Sequence, residues 1–303
     1  GLLPHPLLIG RRNEMKKKSV QYIMLTIPAI ILLICFIAVP LVNGVRVSFY
    51  KWNGYSQNMK FIGIQNYIKI FSDDVFGATL LNTAIYGFGS TFFQNILGLA
   101  TALFLNQKFK GRDAVRCILY MPIMISGFIM GQILYQFFQF DGGVFNEILG
   151  WFNIPGVYWT GTGLSATIVC MLVNSWQYMG LCMIIYIAGL QGIPDMYREA
   201  AKLDGCGSFQ VFRHVTLPLL IPSITTAVVI NLIGGFKMYD VIVSLTGGGP
   251  SRGSLSLSYY IQLLYFQDEK AGYASAVGVV MFFLILIITV PINSWLKKRE
   301  VEY

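Results

Sequence analysis

QGIPDMYREAAKLDGCGSFQVFRHVTLPLLIP, residues Gln191–Pro222, is a charged island in an otherwise apolar chain. It holds Asp195, Arg198, Glu199, Lys202, Asp204 and Arg213, with long uncharged segments on both sides. A chain that crosses a membrane interrupts itself this way where a loop meets something outside the bilayer. The local chemistry predicts two short helices joined by a turn. Pro194 suits a first helical position, and Asp195 suits the positive end of the helix dipole. Glu199, Ala200 and Ala201 favour helix. Gly205 suits the left-handed conformation that closes a helix, and Ser208 suits the N-cap of the next one. An ordinary solvated loop is the competing reading of these residues.

The surrounding chain places this loop. Of 303 residues, 55% are hydrophobic and 12% are charged, and the mean hydropathy is +0.61. A soluble domain carries roughly 25% charged residues. The class is therefore an all-α polytopic membrane protein. Six apolar runs are long enough to span a bilayer: Ser19–Val45, Thr79–Asn106, Ala114–Phe138, Leu164–Leu190, Leu219–Val243 and Ala271–Leu296. The first follows a basic segment, 1–18, as a signal peptide would. It is too long for a signal core and has no clear A-x-A site, so a retained span is expected. The chain divides into an N-terminal segment 1–18, a membrane domain 19–296 containing the polar loop 191–217, and a tail 297–303.

Charge counting orients the spans. With the N-terminus inside, the inner segments, together with Arg116 at the inner edge of the third run, hold 15 of the 22 Lys and Arg residues. The outer ones hold Arg46, Lys51, Lys60, Lys69, Arg252 and Lys270, and Lys237 falls inside a run. The positive-inside rule then puts both termini and the polar loop in the cytoplasm, and it explains the net charge of +8 without nucleic acid. Segments Gln139–Gly163 and Ser251–Lys270 become outer loops, so Ser254 is expected to be accessible from outside and Ser208 not. Trp52, Tyr55, Phe61 and Tyr67 fit an aromatic belt at the outer interface.

Little in the chain points to catalysis. Cys35, Cys117, Cys170, Cys182 and Cys206 are scattered and odd in number. They imply neither disulfides nor a zinc site, and buried reduced thiols are expected. His5 and His214 are too separated for a metal cluster. Gly247-Gly248-Gly249-Pro250 lacks the following Gly-Lys-Ser/Thr of a phosphate loop and reads as an outer turn. No Ser/His/Asp constellation or pair of in-membrane carboxylates is visible.

Two clusters carry binding chemistry instead. Asn174-Ser175-Trp176-Gln177-Tyr178 lies in the fourth run. Amides are costly in lipid unless bonded, so these face the bundle interior. They serve either as helix–helix glue or as a sugar site, where amides bond hydroxyls and rings stack on pyranose faces. Lys237 lies in the fifth run, after Gly234-Gly235. An ionisable residue in a span is a functional candidate by default. It sits ~25 Å from the inner end of the run at the helical rise, so snorkelling to the outer interface competes. Asp240 is spaced to pair with it on one helix face.

Glu199-Ala200-Ala201, then Asp204-Gly205, then Leu217-Pro218 resemble the "EAA" loop of membrane subunits of bacterial ATP-binding-cassette importers. Cys206 stands where a small residue such as Ala is usual. Phe49-Tyr50-Lys51-Trp52, Phe61-Ile62-Gly63-Ile64-Gln65-Asn66-Tyr67, Leu245-Thr246-Gly247-Gly248-Gly249-Pro250 and Gly272-Tyr273-Ala274-Ser275-Ala276 are similar to the carbohydrate branch, near the larger membrane subunit of the maltose transporter. The resemblance covers most of residues 40–295.

The resemblance implies a sugar permease of the bacterial cytoplasmic (inner) membrane. It carries no enzyme activity and binds no cofactor of its own. Its implied partners are a second homologous permease, two ATPase subunits that bind ATP and Mg, an extracytoplasmic solute-binding protein and membrane lipid. Glu199, Ala200, Ala201, Asp204 and Gly205 would couple to the ATPase. Substrate would meet Asn174, Gln177, Tyr178, Gly234, Gly235, Lys237 and Met238. Only Asn174 keeps the residue type of the maltose system, so a different sugar is implied. A uronate oligosaccharide from pectin or alginate would give Lys237 a carboxylate partner. Pairing with Asp240, or a neutral oligosaccharide, stands against that. An ion-gradient-driven secondary transporter of a small polar solute is the alternative function, with Asp240 as its one candidate carboxylate. A membrane-embedded enzyme is a further rival for which no acid–base pair presents itself.

Overall fold

A computed structural model describes residues 26–300. The basic segment 1–18, the start of the first expected span and residues 301–303 lie outside the described residues. In chain order the elements are α1 (Thr26–Val47), a hairpin of β1 (Tyr50–Lys51) and β2 (Lys60–Phe61), α2 (Gln65–Phe71), α3 (Asp74–Leu105), α4 (Arg112–Met124) and α5 (Gly127–Phe138). There follow α6 (Val144–Trp151), α7 (Gly163–Gly192), α8 (Asp195–Leu203), α9 (Ser208–Leu219), α10 (Ile221–Phe236), α11 (Asp240–Leu245), α12 (Leu257–Phe266) and α13 (Ala271–Lys297).

Helices α1, α3, α7 and α13 are each long and apolar enough to cross a bilayer. Six spans result when the bent pairs α4–α5 and α9–α10 each count as one. The apolar exterior fits lipid: Phe36 on α1 is 75% exposed and Ile287 on α13 is 65% exposed. The most buried long helix is α7, which runs along α3 and α10 at the centre of the bundle. Small residues permit these approaches. A Cβ on Gly98 of α3 would lie 2.2 Å from the Cβ of Cys182 on α7.

The third and fifth expected spans are not single helices. Helices α4 and α5 meet at 101°. Pro122 opens a tight turn there, and Ile125 and Ser126 are extended. In the fifth, α10 stops at Phe236 rather than running on to Val243, and α11 starts at Asp240; at its other end α10 meets α9, a helix of the polar loop, at 66°. Broken backbone at membrane depth needs partners from elsewhere in the protein. The Ile125 carbonyl accepts from Gln177 Nε2 at 2.9 Å, and the Met238 carbonyl accepts from Ser256 Oγ at 2.7 Å.

The expected outer loop Ser251–Lys270 is also different. It contains α12, and it is bonded into the bundle. Asn82 Nδ2 donates to the Gly253 and Leu255 carbonyls at 2.8 and 3.2 Å, and the Tyr86 hydroxyl donates to the Ser254 carbonyl at 2.7 Å. Ser254 is therefore fully buried, not accessible. Among the cysteines, Cys170 and Cys182 are buried as expected, whereas Cys35 and Cys117 are exposed.

Asp73 anchors the outer end of α3. Its Oδ1 accepts the Val75 and Phe76 amides, and its Oδ2 accepts the hydroxyls of Tyr260 and Tyr273, both at 2.6 Å. Burial raises its pKa, but the Tyr260, Tyr273, Phe76 and Val75 hydrogen bonds outweigh that and hold the carboxyl below its ordinary value. A depressed folded pKa means stabilisation that is complete above the unfolded value of about 3.9 and lost as pH falls through the lower folded value. Asp73→Ala removes a helix cap worth about 0.5–2 kcal/mol and two charge-assisted bonds. Thermal unfolding of the purified protein should show a lowered midpoint at pH 7. The gap to the parent should narrow below pH 4. An unchanged midpoint at pH 7 would remove Asp73 from the account of stability.

Candidate functional site

Helices α3, α7 and α10 enclose a cavity of about 180 Å³, open on one side and completed by the α10–α11 break. Six of the seven expected substrate residues lie on its wall: Asn174, Tyr178, Gly234, Gly235, Lys237 and Met238. Gln177 does not. It is fully buried and directed at Ile125, so it braces the α4–α5 break instead of facing the cavity.

The wall is polar at its centre. Gln94 Nε2 donates to Asn174 Oδ1 at 2.9 Å and to the Asn174 carbonyl at 3.3 Å. This bond joins α3 to α7 and fixes the Asn174 side chain. Gln94 Oε1 is buried and has no hydrogen-bond partner among the described residues. Asn231 of α10 also lines the cavity and donates to Cys182 Sγ. Gln94 and Asn231 were not singled out from the sequence, although both are amides in uncharged runs, the signal that identified Asn174.

The adjacent glycines have opposite environments. A Cβ on Gly234 would meet nothing within 4 Å, so this residue leaves the cavity open. A Cβ on Gly235 would lie 2.8 Å from the Tyr86 carbonyl oxygen and 2.9 Å from Gly87 Cα, so this residue lets α10 touch α3. Lys237 is not within a span helix. It is the exposed residue that ends α10, where the carbonyl end of the helix favours a cation. The break separates it from Asp240, and among the described residues the two form no ion pair. Tyr178 and Tyr239 add ring surface to the wall.

The second candidate surface is α8. Pro194 is its N-cap rather than its first residue, and Gly207, not Ser208, caps α9. At its C-terminus Gly205 takes φ +83°. The Gly205 amide bonds the Lys202 carbonyl and the Cys206 amide bonds the Ala201 carbonyl, both at 3.0 Å. This is the Schellman closure. Ala201 is buried, while Glu199, Ala200 and Asp204 are exposed. Arg198 ties α8 to the end of α7, donating to the Leu190 carbonyl at 3.1 Å and lying 3.5 Å from Asp195. Met196, Leu203 and Phe209 stand 66%, 89% and 71% exposed beside these polar groups. Helix α7 links the two sites. From Asn174 to Gly192 it extends about 27 Å at the helical rise.

Apolar spans thus surround a polar cavity, and an exposed helix is carried on one of the cavity's own walls. The chain belongs to the family described as binding-protein-dependent transport system inner membrane component, which matches residues 94–301. It is 32% identical to a probable starch degradation products transport system permease protein of Thermoanaerobacterium thermosulfurigenes, covering 97% of this chain and 100% of that one. It is 30% identical to the trehalose/maltose transport system permease protein of Thermococcus litoralis, over 91% of this chain and 92% of that one. Among solved structures it resembles a chain of a bacterial ABC transporter involved in the import of the acidic polysaccharide alginate. That match has a TM-score of 0.80 and 25% identity, covering 94% of this chain and 98% of the other.

Proposed function

We propose that this chain is a membrane subunit of an ATP-driven importer of oligosaccharides, acidic ones included. The observation that carries the reading is the cavity wall, where a bonded amide pair and tyrosine rings inside the bundle meet Lys237 at the exposed end of α10. Bonded amides present fixed hydrogen-bonding groups to sugar hydroxyls, and rings offer apolar faces for the pyranose. The names of the similar permeases, which concern starch products, trehalose or maltose and alginate, support a carbohydrate.

A cavity of about 180 Å³ is small for an oligosaccharide, since ligand sites usually reach ~300–1,000 Å³. A second, homologous permease facing the open side would complete it. ATP is hydrolysed on two separate ATPase subunits, which meet the exposed Glu199, Ala200, Asp204 and Gly205 on the cytoplasmic side, whereas Ala201 is buried against the rest of the chain. Their closure moves α8, and α7 carries that movement to Asn174 and Tyr178. An extracytoplasmic binding protein delivers the sugar. The setting is a bacterial inner membrane with both termini cytoplasmic.

The complex purified through this chain and reconstituted in proteoliposomes should contain an ATPase. Its ATP hydrolysis should rise several-fold when binding protein loaded with oligosaccharide is added outside, and uptake should require ATP. Uptake driven by a proton or sodium gradient without ATP would overturn the reading and favour an ion-coupled transporter using Asp240.

A further inference from the structure

The hairpin of β1 and β2 pairs Lys51 directly with Lys60, and Tyr50 with Phe61. Directly opposed residues project to the same side of a ladder, and like charges there repel. Tyr50 and Phe61 pack edge to face with ring centres 5.4 Å apart. Lys51 and Lys60 face a groove of about 680 Å³ between the hairpin, α2 and the start of α13. Lys69 and Lys270 also line it, against the single carboxylate of Glu269. Lys270 is paired with Asp268 at 3.3 Å. Lys51, Lys60 and Lys69 form no ion pair among the described residues. Lys69 lies 4.8 Å over the Tyr273 ring, which holds the ammonium without neutralising it.

Three unneutralised ammonium groups around one concave surface are an arrangement that an anion stabilises and its absence does not. The rest of the wall selects among anions. Half-buried Trp52 offers ring surface, and Asn53, Asn58 and Gln65 offer amides. The volume lies in the range of small-molecule sites, ~300–1,000 Å³. The groove shares no lining residue with the cavity of α3, α7 and α10.

We propose that this groove binds an anionic oligosaccharide, of the uronate class, at a second site on the outer face. The proposal rests on the carbohydrate reading and on the orientation that puts the hairpin outside. The carboxylates bridge Lys51, Lys60 and Lys69, and the sugar rings lie against Trp52. A charged substrate is thereby concentrated beside the pathway before it enters.

The test uses the intact complex in nanodiscs of zwitterionic lipid, without ATP or binding protein. Binding of a fluorescent tri-uronate and of maltotriose is titrated, and thermal midpoints are recorded with each. Tri-uronate should bind the parent and raise its midpoint. In the Lys51→Gln/Lys60→Gln variant its affinity should fall at least tenfold, while the unliganded midpoint rises because the opposed charges are gone. Any maltotriose binding belongs to the cavity of α3, α7 and α10 and should be the same in parent and variant. Equal tri-uronate affinity in parent and variant would overturn the proposal. So would displacement of tri-uronate by an equal concentration of sulfate, which would mark a general anion site. Lysine-dependent retention of phosphatidylglycerol by native mass spectrometry, with no tri-uronate binding, would assign the groove to a lipid headgroup instead. ATP hydrolysis is not scored, so failure here leaves the importer reading intact. Failure of that reading would appear as missing ATPase stimulation, whatever this titration gives.

Discussion

Gly205→Val should reduce ATP-dependent uptake about tenfold or more while leaving the membrane bundle assembled. Gly205 holds φ +83° in the Schellman closure of α8. A β-branched residue is a genuine outlier at such an angle, and the strain is of order 1–3 kcal/mol. Each 1.4 kcal/mol is about a factor of ten in a population. There is open space around a Cβ here, so the effect comes from the backbone and not from a clash. The segment that relaxes is short and exposed, and it carries Glu199 and Asp204. The docking helix is displaced, and the spans are untouched.

Gly205→Asn separates this account from simple damage, because Asn tolerates the left-handed region. It should recover most of the uptake. The checks are uptake and sugar-stimulated ATP hydrolysis in proteoliposomes, with ATPase co-purification recorded in parallel. Parent-like uptake and stimulation in a fully assembled Gly205→Val complex would sink the coupling role of α8.

Lys237→Met should lower the apparent affinity for a uronate oligosaccharide by about ten- to a hundredfold, as expected from losing a hydrogen bond to a charged group worth roughly 1.5–3 kcal/mol. Uptake of a neutral oligosaccharide should change little. Lys237 lies at the exposed end of α10 on the cavity wall. It is not paired with Asp240, so its charge is available to a ligand. Met keeps the length and apolar stem, and the α10 cap uses the Lys237 backbone amide, not its side chain. Assembly should therefore be spared. Undiminished uronate uptake by Lys237→Met would remove the acidic-substrate reading and leave Lys237 as an interfacial charge.

The two variants act on different parts of the transport cycle. Gly205→Val should depress uptake of every substrate alike, because it acts on coupling. Lys237→Met should discriminate by charge. Both effects on one substrate only, or neither, would require a different division of labour between α8 and the cavity.

The features legible in the sequence were those set by local chemistry. Transfer of an apolar run into lipid depends on that run alone, so the six span regions were visible. The helical α8, its end at Gly205 and the exposure of Glu199 and Asp204 follow from residue types a few positions apart. Asn174 and Lys237 were visible because polar groups in apolar runs demand a reason. The tertiary structure decided what those groups meet. The Gln94–Asn174 bond joins residues 80 apart in the chain, and Ser256 reaches back to the Met238 carbonyl. The sequence around Gln177 does not reveal that its amide is committed to Ile125. Nor do residues 257–266 announce that they form a helix packed against α3 and α13. A break within an apolar run is stable only when a distant side chain satisfies the freed backbone groups. Which side chain does so depends on which helices become neighbours and on how each is rotated. Those are properties of the assembled bundle, and no single segment encodes them.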